Sequence, residues 1–353
     1  MVVLMKLLKF KRTDMTKNIE VLVTTPFNES QQLILKEAAP GLKIKMVSVR
    51  KVEEISPDLW ANAEVLYTDR VLPRIDQVPL LRWVQFHYAG IDFAMEHPLV
   101  NAPQIQVTNL SGTASSQIAE FTVMMLLTLG HKMPDLRQAQ MSREWPKERW
   151  ERFSPTELRG STVCLVGYGS VGRQVARLLQ PFGAQVLAIK RDAMHPMDQG
   201  YTPAGMGDPD GDLFTRLYPV EAIKSVFKES DFIVVCAALT SQTMHLIGAE
   251  ELAACKPSAF LINPSRGEIV DQAALIQALE EKKLAGAALD VFPIEPLPED
   301  NPLWQMPNVI ITPHVAGNSR FYNDRAVQLF AENLRRYYSG QPLLNIVHPE
   351  LGY

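Results

Sequence analysis

The sequence predicts an α/β fold with two doubly wound parallel sheets, each in a domain of its own. Its 353 residues exceed the usual size of one domain and suit two. Short apolar segments of strand length alternate with helical segments in two separate stretches of the chain. The second stretch begins with a glycine-rich turn between a strand and a helix, which is typical of a nucleotide-binding sheet.

Composition excludes several classes of protein. The apolar share of 46% and the charged share of 21% are those of a globular chain. A net charge of −4 gives no overall attraction to nucleic acid. The apolar run 121–129 is too short to cross a bilayer, which needs about 20 residues. We therefore expect a cytoplasmic protein that binds small molecules.

Cysteine and histidine spacing predicts neither a disulfide nor a metal site. The three cysteines lie far apart, each in or beside an apolar run, as buried free thiols do in a reducing compartment; they are Cys164, Cys236 and Cys255. The seven histidines show no paired spacing of the kind that binds zinc. We expect no metal.

The first alternation begins at Ile19, after a basic segment, Met1 to Asn18, that we expect to be an extension. Met15 is an alternative start of translation. The expected elements are strand Ile19 to Thr24, helix Gln31 to Ala38, and strands Ile44 to Val47, Val65 to Tyr67, Trp83 onward and Val107 to Asn109. A helix from about Ser116 is apolar on nearly every side, so we expect it to be buried between domains or against a partner subunit.

The charged segment Lys132 to Arg159 contains three prolines and predicts an irregular crossover, where the domains would switch. The second alternation then supplies strands at 163–166, 186–189, 232–236, 260–262, 286–289 and 309–312. The segment Met194 to Arg216, rich in Gly, Pro and Asp, predicts a surface insertion. A terminal helix, Asn323 to Tyr338, is expected to pack on the first domain.

The glycine-rich turn has the full context of a dinucleotide site. Strand 163–166 runs into Gly167, Tyr168, Gly169, Ser170, Val171 and Gly172, and an amphipathic helix follows. Gly167 permits the tight turn, Gly169 allows the pyrophosphate to approach the backbone, and Gly172 allows close helix packing. The next strand ends in Lys190 and Arg191, two cations suited to a 2′-phosphate, so NADP is favoured over NAD. The alternative is that Asp192 binds the ribose while Lys190 is solvated.

Three further segments follow predicted strands, at the sheet edge where such folds bind ligands. They are NPSRG (263–267), DVFPIEP (290–296) and TPHVAG (312–317). Arg266 could bind a substrate carboxylate and polarise a C2 carbonyl. His314 could donate a proton to that oxygen as hydride arrives. Glu295 could orient the His314 ring and stabilise its protonated form. Taken alone, each residue is better explained by an ordinary surface or structural role, and only the combination at strand ends after the glycine-rich turn favours catalysis.

These segments, together with HYAGID (87–92), NLSGTASSQIAE (109–120) and ENLRRYYSGQPLLNIV (332–347), resemble the D-isomer-specific 2-hydroxyacid dehydrogenase family from Ile19 to Tyr353. The resemblance implies a Rossmann cofactor domain, residues 116–317, inserted in a flavodoxin-like substrate domain, residues 19–115 and 318–353. It also implies the catalytic set Arg266, Glu295 and His314, and a homodimer built on the cofactor domain.

Further contacts are expected on the same ground. Asp290 would lie near the nicotinamide, with additional cofactor contacts from Cys236, Ala237, Pro264 and Gly317. Backbone donors to the substrate carboxylate would come from Tyr88, Ala89 and Gly90. Lys190 departs from the acidic residue common in the family, and Ala238 from a common proline, which concerns cofactor choice and not chemistry.

The resemblance predicts reduction of a small 2-oxo acid or oxidation of a 2-hydroxy acid, as in a glyoxylate or hydroxypyruvate reductase. Glu295 stands where the formate dehydrogenase branch has Gln, which favours a 2-hydroxy acid. With the match ending near Tyr353, we do not expect the regulatory domain of long phosphoglycerate dehydrogenases. Two alternatives remain open: a dinucleotide-sensing corepressor with little turnover, and a relative acting on a non-carboxylate such as phosphite.

Overall fold

The structure, a computed structural model, describes residues 18–198 and 200–352. Most of the predicted extension, Met1 to Asn18, lies outside the described residues. The chain divides into two compact units, one comprising residues up to Thr113 together with those from Arg320, and the other Ala114–Ser319. No helix within the described ranges is long and apolar enough to cross a bilayer.

The first unit contains a five-stranded parallel sheet in the order β2-β1-β3-β4-β5. The chain places β2 on one side of β1 and β3 on the other, which makes the sheet doubly wound. Its elements are β1 (Ile19–Val23), α1 (Glu29–Lys36), β2 (Leu42–Met46), α2 (Pro57–Asn62), β3 (Val65–Thr68), β4 (Trp83–Phe86) and β5 (Gln106–Thr108). Strands β3 and β4 are buried at every position, as expected for parallel strands covered on both faces.

The second unit contains a seven-stranded parallel sheet in the order β12-β11-β10-β9-β6-β7-β8. Its helices are α3 (Ser115–Gly130), α4 (Met133–Met141), α5 (Arg149–Arg152), α6 (Ser170–Leu179), α7 (Ile223–Glu229), α8 (Ala249–Ala253) and α9 (Gln272–Glu280). Its strands are β6 (Thr162–Val166), β7 (Gln185–Ile189), β8 (Arg216–Tyr218), β9 (Phe232–Val235), β10 (Phe260–Asn263), β11 (Gly286–Leu289) and β12 (Val309–Ile311). The order reverses between β6 and β9, which is the ligand-binding crevice of such sheets.

The chain then returns to the first unit through α10 (Tyr322–Tyr338), which packs against α1. Phe330 from α10 lies 4.5 Å from Tyr67 and 5.5 Å from Trp83, measured between ring centroids. An amphipathic helix with this buried aromatic stripe is stable only against an apolar sheet face. The placement expected for the terminal helix is therefore what the structure shows.

The structure corrects two expectations about the segment after Thr113. The division between units falls at Thr113–Ala114, ahead of α3 and not within 132–159, and it lies close to the bounds 116–317 that the resemblance implies for the cofactor domain. Helix α3 packs on α6 and on β10 and β11 of its own unit. The crossover is also more regular than expected, because Pro134 lies in the first turn of α4, where proline is tolerated.

Candidate active site

The glycine turn follows β6 and begins α6. Gly167 has φ +100°, and a Cβ there would lie 2.6 Å from the Ala237 backbone nitrogen. A Cβ on Gly172 would lie 2.4 Å from the Gly167 carbonyl oxygen. A Cβ on Gly169 would meet nothing within 4 Å. Two glycines therefore allow close packing, whereas Gly169 borders open space in front of the N-terminus of α6, where a pyrophosphate fits.

The sequence analysis predicts that Tyr168, Cys236 and Ala237 contact the cofactor. Cys236 and Ala237 follow β9 and lie against the glycine turn, since the Cys236 N–H donates to the Val166 carbonyl. Tyr168 instead turns its side chain inward, where it is 2% exposed, and its hydroxyl donates to Asp208 Oδ2 at 2.6 Å. Only the Tyr168 main chain is available to a cofactor.

The predicted surface insertion after β7 is anchored by a buried carboxylate. Asp208 Oδ1 accepts hydrogen bonds from the Gly211 and Asp212 N–H groups, and Oδ2 accepts one from the Leu213 N–H. Burial alone would raise the pKa of Asp208, but the hydrogen bonds from Tyr168 and these N–H groups lower it below its ordinary value. The fully buried Arg173 donates to the Asp208 carbonyl at 2.6 Å. The insertion is thus fastened to α6, the helix of the glycine turn.

Lys190 and Arg191 follow β7, as expected of residues near an adenosine ribose. The Lys190 ammonium donates to the His195 carbonyl, and burial, followed by the nearby Arg173 charge, lowers the pKa of Lys190. Asp192 Oδ2 lies 2.7 Å from His195 Nδ1, and Asp192 Oδ1 accepts from the Met194 N–H. Asp192 is therefore engaged by the insertion, which weakens the alternative in which it binds the ribose.

The turn after β10 carries Arg266 and is shaped by the buried Asn263. Asn263 Nδ2 donates to the Arg266 carbonyl at 2.9 Å, and Asn263 Oδ1 accepts from the Ser265 N–H at 3.1 Å. A Cβ on Gly267 would lie 2.1 Å from the Phe292 carbonyl carbon. Glycine is therefore needed for the Arg266 turn to contact the segment that carries Glu295. The predicted cofactor residue Pro264 is buried in this turn.

Glu295 and His314 form a hydrogen-bonded pair. Glu295 Oε2 lies 2.8 Å from His314 Nδ1, while Glu295 Oε1 accepts from the Phe292 N–H at 3.0 Å. His314 has φ +51°, a left-handed conformation that is uncommon outside glycine and concentrates at functional sites. With Nδ1 bonded to the carboxylate, Nε2 is the ring nitrogen left to exchange a proton with a substrate.

Asp290, which the resemblance places near the nicotinamide, has a buried carboxylate that bonds to the loop after β12. Its carboxylate is 1% exposed and accepts from the Thr312 hydroxyl at 2.6 Å and from the Val315 and Ala316 N–H groups at 2.9 and 2.8 Å. The Asp290 carbonyl also accepts from the His314 N–H at 2.8 Å. Asp290 therefore holds the loop in which His314 lies. The expected cofactor residue Gly317 ends this loop, and its carbonyl accepts from Gln117 Nε2.

In the first unit, Tyr88, Ala89 and Gly90 follow β4; we call these three residues the substrate loop. The Tyr88 carbonyl accepts from the Leu110 N–H at 3.1 Å, and the Ala89 carbonyl accepts from Asn109 Nδ2 at 2.9 Å. Within residues 18–198 and 200–352, the N–H groups of the loop donate to no acceptor. Three consecutive open donors can hold an anion such as a carboxylate.

The sequence reasoning missed two residues that shape these sites, Asn263 and Asp208. Asn263 belongs to the segment NPSRG, but the sequence does not show that its side chain bonds to the main chain of Ser265 and Arg266. Asp208 lies in a segment interpreted as a plain surface loop, and no local signal marked its burial.

Taken together, the second unit has a glycine turn that fits a dinucleotide, and a histidine paired with a carboxylate at the ends of neighbouring strands. This combination defines a nicotinamide-dependent oxidoreductase of the two-domain α/β class. The sequence profile of the "D-isomer specific 2-hydroxyacid dehydrogenase, NAD binding domain" matches residues 123–316. The chain belongs to the D-isomer specific 2-hydroxyacid dehydrogenase family.

Relatives match along most of the chain. A glyoxylate reductase of Korarchaeum cryptofilum is 30% identical over 321 residues, covering 89% of this chain and 88% of that protein. A glyoxylate reductase of Thermofilum pendens is 32% identical over 289 residues, 81% of this chain and 80% of the relative. The crystal structure of a D-isomer specific 2-hydroxyacid dehydrogenase from Xanthobacter autotrophicus, in complex with NADPH and MES, has a TM-score of 0.78 and 28% identity, covering 96% of this chain and 100% of that chain.

Proposed function

We propose that this protein reduces a small 2-oxo acid, such as glyoxylate or hydroxypyruvate, to the D-2-hydroxy acid with NADPH. The observation that carries the proposal is the pairing of His314 with Glu295, next to the turn of Arg266. A carboxylate-bound histidine is a proton donor, and the guanidinium is a carboxylate ligand. The names of the archaeal relatives support glyoxylate as a substrate.

A bound dinucleotide would supply the hydride that C2 of the substrate accepts. The open space at Gly169 and the N–H groups at the start of α6 would hold its pyrophosphate. Arg266 binds the substrate carboxylate and polarises the C2 carbonyl. His314 donates its Nε2 proton to the carbonyl oxygen as the C–H bond forms, and Glu295 stabilises the imidazolium from which that proton leaves. Oxidation of the hydroxy acid runs through the same steps in reverse.

The substrate loop is proposed to supply further donors to the carboxylate through the N–H groups of Tyr88, Ala89 and Gly90. The support is that the Tyr88 and Ala89 carbonyls are bonded within the first unit while the loop's N–H groups have no acceptor among the described residues. A charged oxygen gains more from such donors than a neutral one does.

NADP preference is proposed for Lys190 and Arg191. The support is the two adjacent cations after β7 and the engagement of Asp192 with His195. Replacing Arg191 with Ala should raise the KM for NADPH by about tenfold or more and leave the KM for NADH within about twofold, because only NADP carries a 2′-phosphate. An equal effect on both cofactors would contradict the preference.

A homodimer is proposed through the second unit. An apolar groove of about 1310 Å³ lies beside α3, lined by Met124, Leu127, Met133 and Phe153 among others. Trp150, which is 78% exposed, lies on it. Exposed apolar surface of this kind marks protein interfaces, and a second copy is the proposed occupant. Sedimentation should give a dimer that Trp150→Glu weakens.

A cytoplasmic location is proposed because the three cysteines are free thiols, as is usual in a reducing compartment.

Turnover is the test of the main proposal. Glyoxylate, hydroxypyruvate, pyruvate and bulkier 2-oxo acids are each supplied with NADPH or NADH, and cofactor absorbance is followed with the native enzyme and with His314→Gln. We expect turnover with at least one acid and a loss of about a hundredfold or more in the variant. Tight cofactor binding without turnover would instead support the sensor alternative.

A further inference from the structure

We propose that Tyr322 and Asn109 are positioning residues that hold the substrate loop in the one conformation that presents its N–H groups to a carboxylate. The inference rests on the proposed function, because it assigns how the carboxylate site is built. Neither residue lies in the loop itself, and Tyr322 is separated from it by more than 200 residues of chain.

Three successive peptide groups are each bonded through their carbonyl oxygen. The Tyr322 hydroxyl donates to the His87 carbonyl at 2.7 Å. The Leu110 N–H donates to the Tyr88 carbonyl at 3.1 Å, and Asn109 Nδ2 donates to the Ala89 carbonyl at 2.9 Å. Two of the three donors are therefore side chains that substitution can remove.

Because each peptide group is planar, a hydrogen bond that fixes its C=O also fixes the direction of its N–H. A trans peptide is rigid, and its C=O and N–H bonds point in opposite directions. The His87 carbonyl belongs to the same peptide as the Tyr88 N–H, and the Tyr88 and Ala89 carbonyls belong to those of the Ala89 and Gly90 N–H groups. Holding each carbonyl therefore points the matching N–H to the side opposite the donor of that carbonyl, and these N–H groups donate to no acceptor among the described residues. Donors fixed in advance lose no orientation entropy when the anion binds.

Tyr322 is well suited to this role. It is the first residue of α10, and its ring packs edge-on against the His87 ring at 5.3 Å between centroids. Burial raises the pKa of Tyr322 to about 12, so the hydroxyl keeps its proton. The His87 ring is fixed from the other side by the Tyr67 hydroxyl, 2.6 Å from Nδ1. His87 is thus held both at its ring and at its carbonyl.

Asn109 is also oriented. Its Oδ1 accepts from the Ser111 N–H at 3.0 Å, so its amide nitrogen is the end that faces Ala89. Only 7% of the residue is exposed. An aspartate at this position would lose the donor and add a negative charge next to the anion site.

The test compares Tyr322→Phe with Tyr337→Phe. Tyr337 lies on the same helix, and its hydroxyl also bonds within the first unit, but to Glu64 Oε1 at 2.8 Å and not to a carbonyl at the substrate loop. Tyr322→Phe should raise the KM for the 2-oxo acid, and the inhibition constant of oxalate, by about three- to tenfold, the effect of one lost hydrogen bond. The kcat and the Kd of NADPH should stay within about twofold. Tyr337→Phe should leave all four values unchanged.

Asn109 provides a second, graded test. Asn109→Ala should resemble Tyr322→Phe, and Asn109→Asp should weaken oxalate binding by a further tenfold or more, because like charges repel. Equal oxalate constants for Tyr322→Phe and Tyr337→Phe would overturn the positioning role while native turnover kept the proposed function intact. If the native enzyme lacks turnover but binds oxalate by calorimetry, the same ratio still decides the positioning role. Absence of both turnover and oxalate binding would overturn both.

Discussion

His87 should make the stability of the first unit depend on pH between about 4 and 6.5. Burial lowers the pKa of His87 to about 4, from an ordinary value of 6.5. Between these pH values His87 is protonated in the unfolded chain but neutral in the folded one, so the free energy of unfolding falls as the pH falls. The full loss corresponds to about 3 kcal/mol, of which about 2 kcal/mol is reached by pH 5.

Tryptophan fluorescence during urea unfolding measures this loss of stability in the first unit. Trp60 and Trp83 are buried in the first unit, whereas the three tryptophans of the second unit are already half exposed or more. His87→Asn keeps an acceptor for the Tyr67 hydroxyl and removes the titrating ring, so it is the matched control. The native protein should lose about 2 kcal/mol more than the variant between pH 7.5 and pH 5. Equal losses would refute the reasoning.

Three further predictions follow from the second unit. Glu295→Gln, which removes the charge beside His314, should lower kcat by about tenfold or more in steady-state kinetics. The Kd of NADPH, measured by calorimetry, should change little. An unchanged kcat would contradict the role of the pair. Gly169→Ala should leave the melting temperature unchanged but weaken NADPH binding by about tenfold or more, whereas Gly267→Ala, whose Cβ would overlap the backbone, should destabilise by roughly 3 kcal/mol; similar melting temperatures would count against the assigned packing. Asp208→Ala should cost about 3 kcal/mol or more, because it leaves the Tyr168 hydroxyl and several N–H groups without their acceptor and removes a carboxylate beside the buried Arg173. A change below about 1 kcal/mol in denaturant titration would show that the insertion is not anchored there.

Regular structure was predictable where the chain pattern is strong. Apart from β8, the strands of both sheets were expected within one or two residues, most clearly where buried parallel strands such as β3 and β9 give unbroken apolar runs. Strand β8 was missed, since its three residues, Arg216–Tyr218, carry no such run and lie at the sheet edge. The helices within 132–159 were missed because proline was taken as a breaker, although at a first turn it is not one.

The chemical groups of the candidate site were visible in the sequence because each follows a predicted strand. The groups that orient them were not visible. The inward turn of Tyr168 and the use of Asp290 as a backbone acceptor depend on hydrogen bonds to residues 22 to 40 positions away. The hydroxyl of Tyr322 reaches a carbonyl 235 residues distant in the chain. Contacts of this kind arise only when the fold brings distant segments together.

The most direct test of the central claim follows the hydride itself. NADPH carrying deuterium at both C4 positions of the nicotinamide is supplied with hydroxypyruvate and the native enzyme, and the product is examined by NMR and chiral chromatography. The proposed reaction predicts a D-2-hydroxy acid with deuterium at C2, formed by the native enzyme and lost in His314→Gln. A product without deuterium at C2, or of the L configuration, would contradict it.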